Sequence, residues 1–166
     1  MEEKNVTVVI ETSLGAITVL LDAEHAPKHA ANFVKLATSK YYDGTTFHRV
    51  IPGFMIQGGD PNSRSEDRST HGIGGPSYKI DAEIGLKHER GVIAAARQGD
   101  QVNPQRKSSG SQFYITVVPT PHLDGQYSVF GKVIDGMNVV DSIAAVKRDP
   151  RDNPLTPVVI NSVTVK

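Results

Sequence analysis

The sequence contains no cysteine and no excess of charge of either sign, with 18 basic and 18 acidic residues among 166. Without cysteine the chain forms no disulfide and offers no thiolate as a nucleophile or metal ligand, which is compatible with a reducing compartment. A balanced charge does not indicate bulk nucleic acid or an anionic membrane as a partner, since both attract strongly basic proteins.

Long apolar segments are also missing. The longest apolar runs, such as residues 17–21 and 92–96, are far too short to span a bilayer. Residues 1–5 carry charges of both signs and lack the apolar core of a signal peptide. We therefore expect a soluble cytoplasmic protein, and a length of 166 residues predicts a single domain over 1–166.

The most informative stretch, residues 47–60, is typical of two strands joined by a tight turn. Pro52 and Gly53 suit the two central positions of a type II turn. A two-residue turn would set Arg49 opposite Ile56, whereas a loop one residue wider sets it opposite Gln57. We favour the wider loop because Gln57 offers the guanidinium an acceptor. The alternative is an ordinary hairpin with Arg49 as a surface residue.

The rest of the chain alternates short β-rich runs with turn residues, and two segments have helical spacing. The strand pattern covers residues 6–11, 16–21, 91–96, 112–118, 128–134 and 158–165. One helix is predicted from Pro27 and another from Met137. Two polar loops, 60–75 and 97–110, separate these elements. Seven or eight strands with two helices indicate a mainly β sandwich or barrel.

Three segments carry a family resemblance that covers essentially the whole chain. Residues 47–60 begin Phe-His-Arg and end Gln-Gly-Gly-Asp, residues 110–115 read Gly-Ser-Gln-Phe-Tyr-Ile, and residues 123–133 begin Leu-Asp-Gly-Gln-Tyr. In this order they resemble the motifs of the cyclophilin-type peptidyl-prolyl cis–trans isomerases, in a bacterial-like, single-domain form. The resemblance implies a closed eight-stranded antiparallel β-barrel capped by two α-helices, and an enzyme that rotates X-Pro peptide bonds and assists protein folding.

The resemblance also implies a set of site residues. Arg49 would be the catalytic donor, with Gln57 bracing it and bonding the substrate backbone, and Gln112 supporting the same network. Substrate contacts would come from Phe54, Met55, Gly72, Ala96, Arg97, Gln98, Tyr114, His122, Leu123 and Tyr127. Rotation about an amide breaks no covalent bond, so the reaction requires no nucleophile, metal or cofactor. The expected partners are proline-containing peptides and unfolded protein clients.

Four positions depart from the best-known family pattern. Tyr114 replaces Phe, so its hydroxyl must find water or a partner. Tyr127 stands where many members have His, and Arg97 with Gln98 replaces a small Asn-Ala pair, which narrows the groove or adds charge. His122 stands where members that bind cyclosporin strongly have Trp, and the chain has no Trp. We therefore predict that cyclosporin-like cyclic peptides bind weakly.

Some of the same residues could also indicate a metal site, a general base, a phosphate loop or a nucleophile. His25 and His29 are four apart, but no third ligand stands at a matching spacing for a metal. His48 should point away from Arg49 along an alternating strand and be structural. Residues 72–75 lack the ending of a phosphate loop and are read as a turn, and Ser111 lacks a nucleophile elbow.

Two other functional classes remain open on the sequence. One is a proline-binding module or holdase with little turnover, since binding and twisting proline use one pocket. The other is a carrier barrel for a small ligand, although bulky residues inside a small barrel favour a filled core. The absence of an obvious apolar surface stripe predicts a monomer.

Overall fold

The structure is a computed structural model that describes residues 5–166, which form ten β-strands and two α-helices. The strands are β1 (Asn5–Thr12), β2 (Gly15–Asp22), β3 (Arg49–Ile51), β4 (Met55–Gly58), β5 (Lys79–Ile80), β6 (Val92–Ala95), β7 (Ser108–Ser109), β8 (Phe113–Thr116), β9 (Val129–Asp135) and β10 (Ile160–Val165). The helices are α1 (Pro27–Thr38) and α2 (Met137–Ala144). Residues 1–4, on which the signal-peptide expectation partly rests, lie outside the described range.

Eight strands form one antiparallel sheet in the order β10-β1-β2-β9-β6-β8-β4-β3, and β5 pairs with β7 separately. No strand ladder joins the edge strands β3 and β10 among the described residues. The seam between the edges is held by a bridge from Thr46 to Val159 and by backbone bonds such as Phe47 N–H to the Val158 carbonyl, 3.0 Å. The predicted fold is confirmed, but full closure was overstated, because β3 has only three residues and cannot pair along β10.

Alternation along the strands separates the interior of the curled sheet from the surface that carries the site. On β8, Phe113 and Ile115 belong to the main interior core, whereas Tyr114 between them belongs to a smaller outer cluster. On β4, Ile56 is interior and Met55 lies in the outer cluster. Because successive side chains of a strand point to opposite faces, one short strand contributes both to the core and to the site.

Helix α1 begins where the sequence predicts it, with Pro27 in its first turn. Its free N–H groups are capped from a distance, because the Glu83 carboxylate accepts from the backbone N–H of Lys28 at 3.1 Å and of His29 at 2.8 Å. Both helices bury one apolar face on the interior core, α1 with Phe33 and Leu36 among others. Within residues 5–166, no helix has both the length and the apolar composition needed to cross a membrane.

Candidate active site

The β3–β4 hairpin has the wider of the two predicted loops. Arg49 pairs with Gln57, as predicted, and Ile51 pairs with Met55. The turn closes with the Phe54 N–H donating to the Ile51 carbonyl at 3.0 Å, and Gly53 has a positive φ of 74°. These are the features of a type II turn with Pro at its first central position and Gly at its second. The hairpin therefore directs Arg49, Met55 and Gln57 to one face.

A hollow of about 170 Å³ lies on this outer face. Its lining combines apolar or aromatic side chains with the two polar groups of the hairpin and one further guanidinium: Arg49, Phe54, Met55, Gln57, Ala96, Arg97, Tyr114, Leu123 and Tyr127. All nine were predicted as site residues, and the structure brings them together from β3, β4, β8 and the segments after β6 and before β9. The hollow is smaller than a pocket for a drug-sized ligand, which suits one small ring.

The Arg49 side chain is exposed and borders this hollow. Within residues 5–166 its guanidinium makes no hydrogen bond and no ion pair with another residue. The expected brace from Gln57 is therefore absent, although the two residues are cross-strand partners. The Gln57 amide is oriented by Gln112 instead, since its Nε2 donates to Gln112 Oε1 at 3.0 Å. Arg49 thus keeps its fork of donors for a ligand.

Gln112 is the centre of a hydrogen-bond network beside the hollow. Its side chain is buried and its Nε2 donates to the carbonyls of Gly72 and Gly74 at 3.0 and 2.9 Å. Gly72 has a φ of 98°, and its N–H donates to the buried Asp60 carboxylate. These bonds fix residues 72–74 as an ordered turn, so the reading of this segment as a turn is correct, and they orient the amide of Gln57.

The hydroxyl of Tyr114 has a partner that the sequence did not reveal. It lies 2.7 Å from Nε2 of the buried His88, whose Nδ1 lies 3.1 Å from the Asp124 carboxylate. Burial lowers the pKa of His88, so near neutral pH its ring is uncharged, donates from Nδ1 to Asp124 and accepts the Tyr114 proton at Nε2. Burial likewise raises the pKa of Tyr114. The relay holds a neutral aromatic wall in place.

Arg97 also lines the hollow, and its charge is largely compensated by a neighbouring carboxylate. Its side chain is only 5% exposed, and it lies 2.9 Å from the Asp100 carboxylate. Its Nε donates to the Gln126 carbonyl at 2.8 Å, and its guanidinium lies 4.6 Å from the centre of the Tyr127 ring. Arg97 therefore narrows the groove by joining two loops, while Asp100 largely neutralises the charge it adds.

Comparison with known proteins identifies this arrangement. The family model described as cyclophilin type peptidyl-prolyl cis-trans isomerase/CLD matches residues 7–165. The chain belongs to the cyclophilin family. It is 41% identical to a peptidyl-prolyl cis-trans isomerase of Arabidopsis thaliana, over 96% of this chain and 95% of that protein. It is 44% identical to a peptidyl-prolyl cis-trans isomerase-like protein of Neurospora crassa, over 92% and 90%.

Solved structures agree with the family assignment. A cyclophilin type peptidyl-prolyl cis-trans isomerase of Cryptosporidium parvum superposes with a TM-score of 0.88 at 34% identity, covering 98% of each chain. The same protein crystallised in the presence of the dipeptide Ala-Pro gives a TM-score of 0.86, covering 96% of this cyclophilin and 98% of that chain. The family and enzyme class predicted from the three motifs are confirmed. These relatives are eukaryotic and give no support to a bacterial-like form.

Four of the predicted contact residues lie outside the hollow in this cyclophilin. Gly72, Gln98 and Gln112 line an adjoining cleft of about 370 Å³ that shares Gln57 with the hollow. His122 is exposed and its ring lies beside that of Phe54 in a tilted arrangement, with ring centres 6.0 Å apart. It therefore supports a pocket residue instead of facing the hollow.

The remaining histidines have defined surroundings. His29 is buried, with Nδ1 2.6 Å from the Glu83 carboxylate and Nε2 2.7 Å from the Ser108 hydroxyl, and His25 lies 2.9 Å from Asp22. His48 is buried as a structural residue would be, but it borders a cleft that Arg49 also borders. The different burial of the two neighbours, with His48 buried and Arg49 exposed, is what opposite side-chain directions would give.

Substitution of Tyr114 by Phe tests the relay. We expect the unfolding free energy to fall by about 1 kcal/mol, because His88 loses its partner in a buried place. We expect kcat/KM for an X-Pro peptide to change less than threefold or so, since the aromatic wall remains. Urea unfolding and a peptide isomerisation assay measure the two effects. A large loss of activity with unchanged stability would show that the hydroxyl acts on the substrate instead.

Proposed function

We propose that this cyclophilin isomerises X-Pro bonds by directing the Arg49 guanidinium at the proline nitrogen. As the amide twists, this nitrogen becomes pyramidal and regains a lone pair, which a fixed donor stabilises more in the twisted state than in the planar one. The observation that carries the proposal is an unpartnered guanidinium on the rim of a small apolar hollow. A charge-assisted hydrogen bond of this kind contributes roughly 1.5–3 kcal/mol.

The apolar lining supplies the second part of the mechanism. Met55, Tyr114 and Leu123 would hold the pyrrolidine ring while the preceding residue rotates, with Phe54 and Tyr127 on the sides. Ala96, Arg97 and Gln98 would receive the residues before proline. Because the ring is held in one orientation, only the preceding residue has to rotate, and this lowers the barrier to isomerisation. Gln57 leaves its Oε1 as an acceptor for the peptide backbone, since its Nε2 already donates to Gln112.

These residues have to lower the barrier to isomerisation by only a small amount. The barrier to amide rotation is ~18–20 kcal/mol, and uncatalysed exchange takes roughly tens to hundreds of seconds. A turnover near ~10 s⁻¹ therefore needs a gain of about three decades, or ~4 kcal/mol. The Arg49 hydrogen bond and ring positioning together cover this gain without a metal or cofactor. An isomerisation assay on a short X-Pro peptide, run beside Arg49→Ala, tests the assignment.

We further propose that residues 1–166 act as one monomeric domain on proline-containing segments of unfolded proteins in the cytoplasm. An Ala-Pro dipeptide was present with the solved relative, and the exposed position of the hollow would allow an extended chain to cross it. Refolding of a protein limited by a prolyl isomerisation should be accelerated by the chain. No observation favours a binding module without turnover.

Cyclosporin-like cyclic peptides should inhibit weakly. His122 offers a smaller apolar face than an indole and packs beside Phe54, and Arg97 is fixed over Tyr127. A titration of the inhibitor against isomerase activity measures the affinity. We expect His122→Trp to bind more tightly than the parent, because it restores a large apolar face and an indole donor. Tight inhibition of the parent chain would contradict this prediction.

A further inference from the structure

A second cleft lies on the far side of Arg49 from the hollow. It has a volume of about 270 Å³ and shares Arg49 and Gln57 with the hollow. Its other walls come from the loop after β4, with Arg68 and His71, and from the loop before β10, with Arg151. A peptide with its proline in the hollow therefore passes directly beside this cleft. We call it the arginine cleft.

The arginine cleft has an excess of positive charge. Three guanidiniums border it, and one carboxylate, that of Asp149, lies among them. Arg68 is already satisfied, since it lies 3.2 Å from Asp149 and donates to the Pro154 carbonyl at 2.7 Å. Arg49 and Arg151 are exposed, and neither side chain has a hydrogen-bond or ion-pair partner within residues 5–166. Two permanent cations are therefore left uncompensated around one cavity.

A buried histidine lies behind the wall of the cleft and adds no charge to it. His48 is only 5% exposed and borders the cleft, but both of its ring nitrogens are buried and have no hydrogen-bond partner. A Cβ placed on Gly72, another residue of this lining, would be 3.7 Å from the His48 Nε2, so Gly72 covers this nitrogen. Burial lowers the pKa of His48 to about 4, so the ring is neutral near pH 7 and the positive charge around the cleft is that of the arginines.

The other polar groups around the cleft do not compete for a ligand. His71 is bonded at both nitrogens, to the Ser65 carbonyl at 2.8 Å and to the Asn153 amide at 2.9 Å. The Asp60 carboxylate next to His48 accepts from the backbone N–H groups of Asn62 and Gly72. Asp60 lies outside the lining, so its charge is directed at the backbone and not into the cavity.

We propose that the arginine cleft binds an anionic group, a carboxylate or a phosphate, carried by the peptide whose proline occupies the hollow. Arg49 and Arg151 would bond its oxygens. The Arg49 fork has enough N–H groups to serve both the anion and the proline nitrogen. The inference rests on the proposed function and adds a substrate preference to it: clients with an acidic or phosphorylated residue near the proline.

The test compares peptides that differ only in charge. Glu is compared with Gln at each of the three positions before and after an X-Pro bond, with phosphoserine and serine as a second pair. At the favoured position we expect kcat/KM to be about fivefold higher for Glu than for Gln, through KM, as is typical of a partly exposed ion pair. The ratio should fall to about one in Arg151→Gln. Lys147→Gln, an equal loss of charge on an exposed residue outside the lining, should keep it.

Calorimetry on the same peptides separates this inference from the proposed function. Equal affinity for the Glu and Gln peptides at every position, with equal affinity for phosphoserine and serine, would overturn the inference while leaving isomerisation of the uncharged peptides intact. A Glu preference that persists in Arg151→Gln would also overturn it. A charge preference in binding by a chain without turnover would support the cleft and contradict the proposed role of Arg49.

Discussion

Replacement of Arg49 by alanine is expected to lower kcat/KM for a short X-Pro peptide by about a hundredfold, which corresponds to the loss of one charge-assisted hydrogen bond made mainly in the twisted state. The fall should appear in kcat, because a bond formed only in the transition state does not change the affinity for the planar amide. Stability should be little affected, since the guanidinium is exposed and makes no hydrogen bond or ion pair within residues 5–166 that the variant would lose.

Two further variants show which property of Arg49 is needed. Arg49→Lys keeps the charge but loses the planar fork, and we expect it to recover only part of the lost rate. Lys147→Ala removes an equal charge from an exposed residue that borders neither cavity, and we expect full activity. Rates are measured in a coupled isomerisation assay and peptide affinity by calorimetry. Equal rates for the parent and Arg49→Ala would remove Arg49 from the mechanism.

The sequence predicted the central hairpin well because the information there is local. The Pro52-Gly53 turn and the need of Arg49 for a polar neighbour both follow from a few adjacent residues, and together they determine the observed register. The positions of Arg49, Met55, Gln57 and Tyr114 around the hollow follow from that register and from the alternation on β8, whereas the other five residues were implied by the family resemblance. The confirmed family motifs then added the curled eight-stranded sheet, which composition alone did not select.

The errors concern partners that are distant in the chain. The brace between Gln57 and Arg49 is geometrically reasonable, but the Gln57 amide is oriented by Gln112, 55 residues away, to which its Nε2 donates. The partner of the Tyr114 hydroxyl is His88, in a segment without strand or helix periodicity. The sequence indicates that the hydroxyl needs a partner but does not identify the residue that provides it. The sequence also does not indicate that Arg151 borders the same cleft as Arg49. The two arginines come together there because the loop before β10 packs beside β3.

Acidification should destabilise this cyclophilin between pH 6.5 and 4, by about 3 kcal/mol from His48 alone, since one pKa unit corresponds to roughly 1.4 kcal/mol. Burial lowers the pKa of His48 from 6.5 to about 4 in the folded chain. Below pH 6.5 the unfolded chain therefore binds the proton first, and the unfolding free energy falls until the pH reaches the folded pKa. Burial also lowers the pKa values of His29 and His88, which adds to the decline in the same direction.

The histidines and the carboxylates change the unfolding free energy over different pH ranges. Hydrogen bonding lowers the pKa values of Asp124 and Asp141 in the folded chain, so their contribution is present above pH 3.8 and is lost only at lower pH. A decline that begins near pH 6.5 must therefore come from groups that are held neutral by burial. Urea unfolding followed by circular dichroism, which needs no tryptophan, gives the unfolding free energy at each pH.

Substitution of His48 assigns its share of this decline. In His48→Gln the fall between pH 6.5 and 4 should be smaller by about 3 kcal/mol than in the parent, because glutamine has no proton to take up. His122→Gln removes a histidine with an exposed side chain and should retain the parent's slope. An unchanged slope in His48→Gln would mean that this ring is protonated in the folded chain at mildly acidic pH. The arginine cleft would then have a cation behind its wall in addition to the uncompensated Arg49 and Arg151, so the preference for Glu over Gln peptides would increase on acidification instead of staying constant.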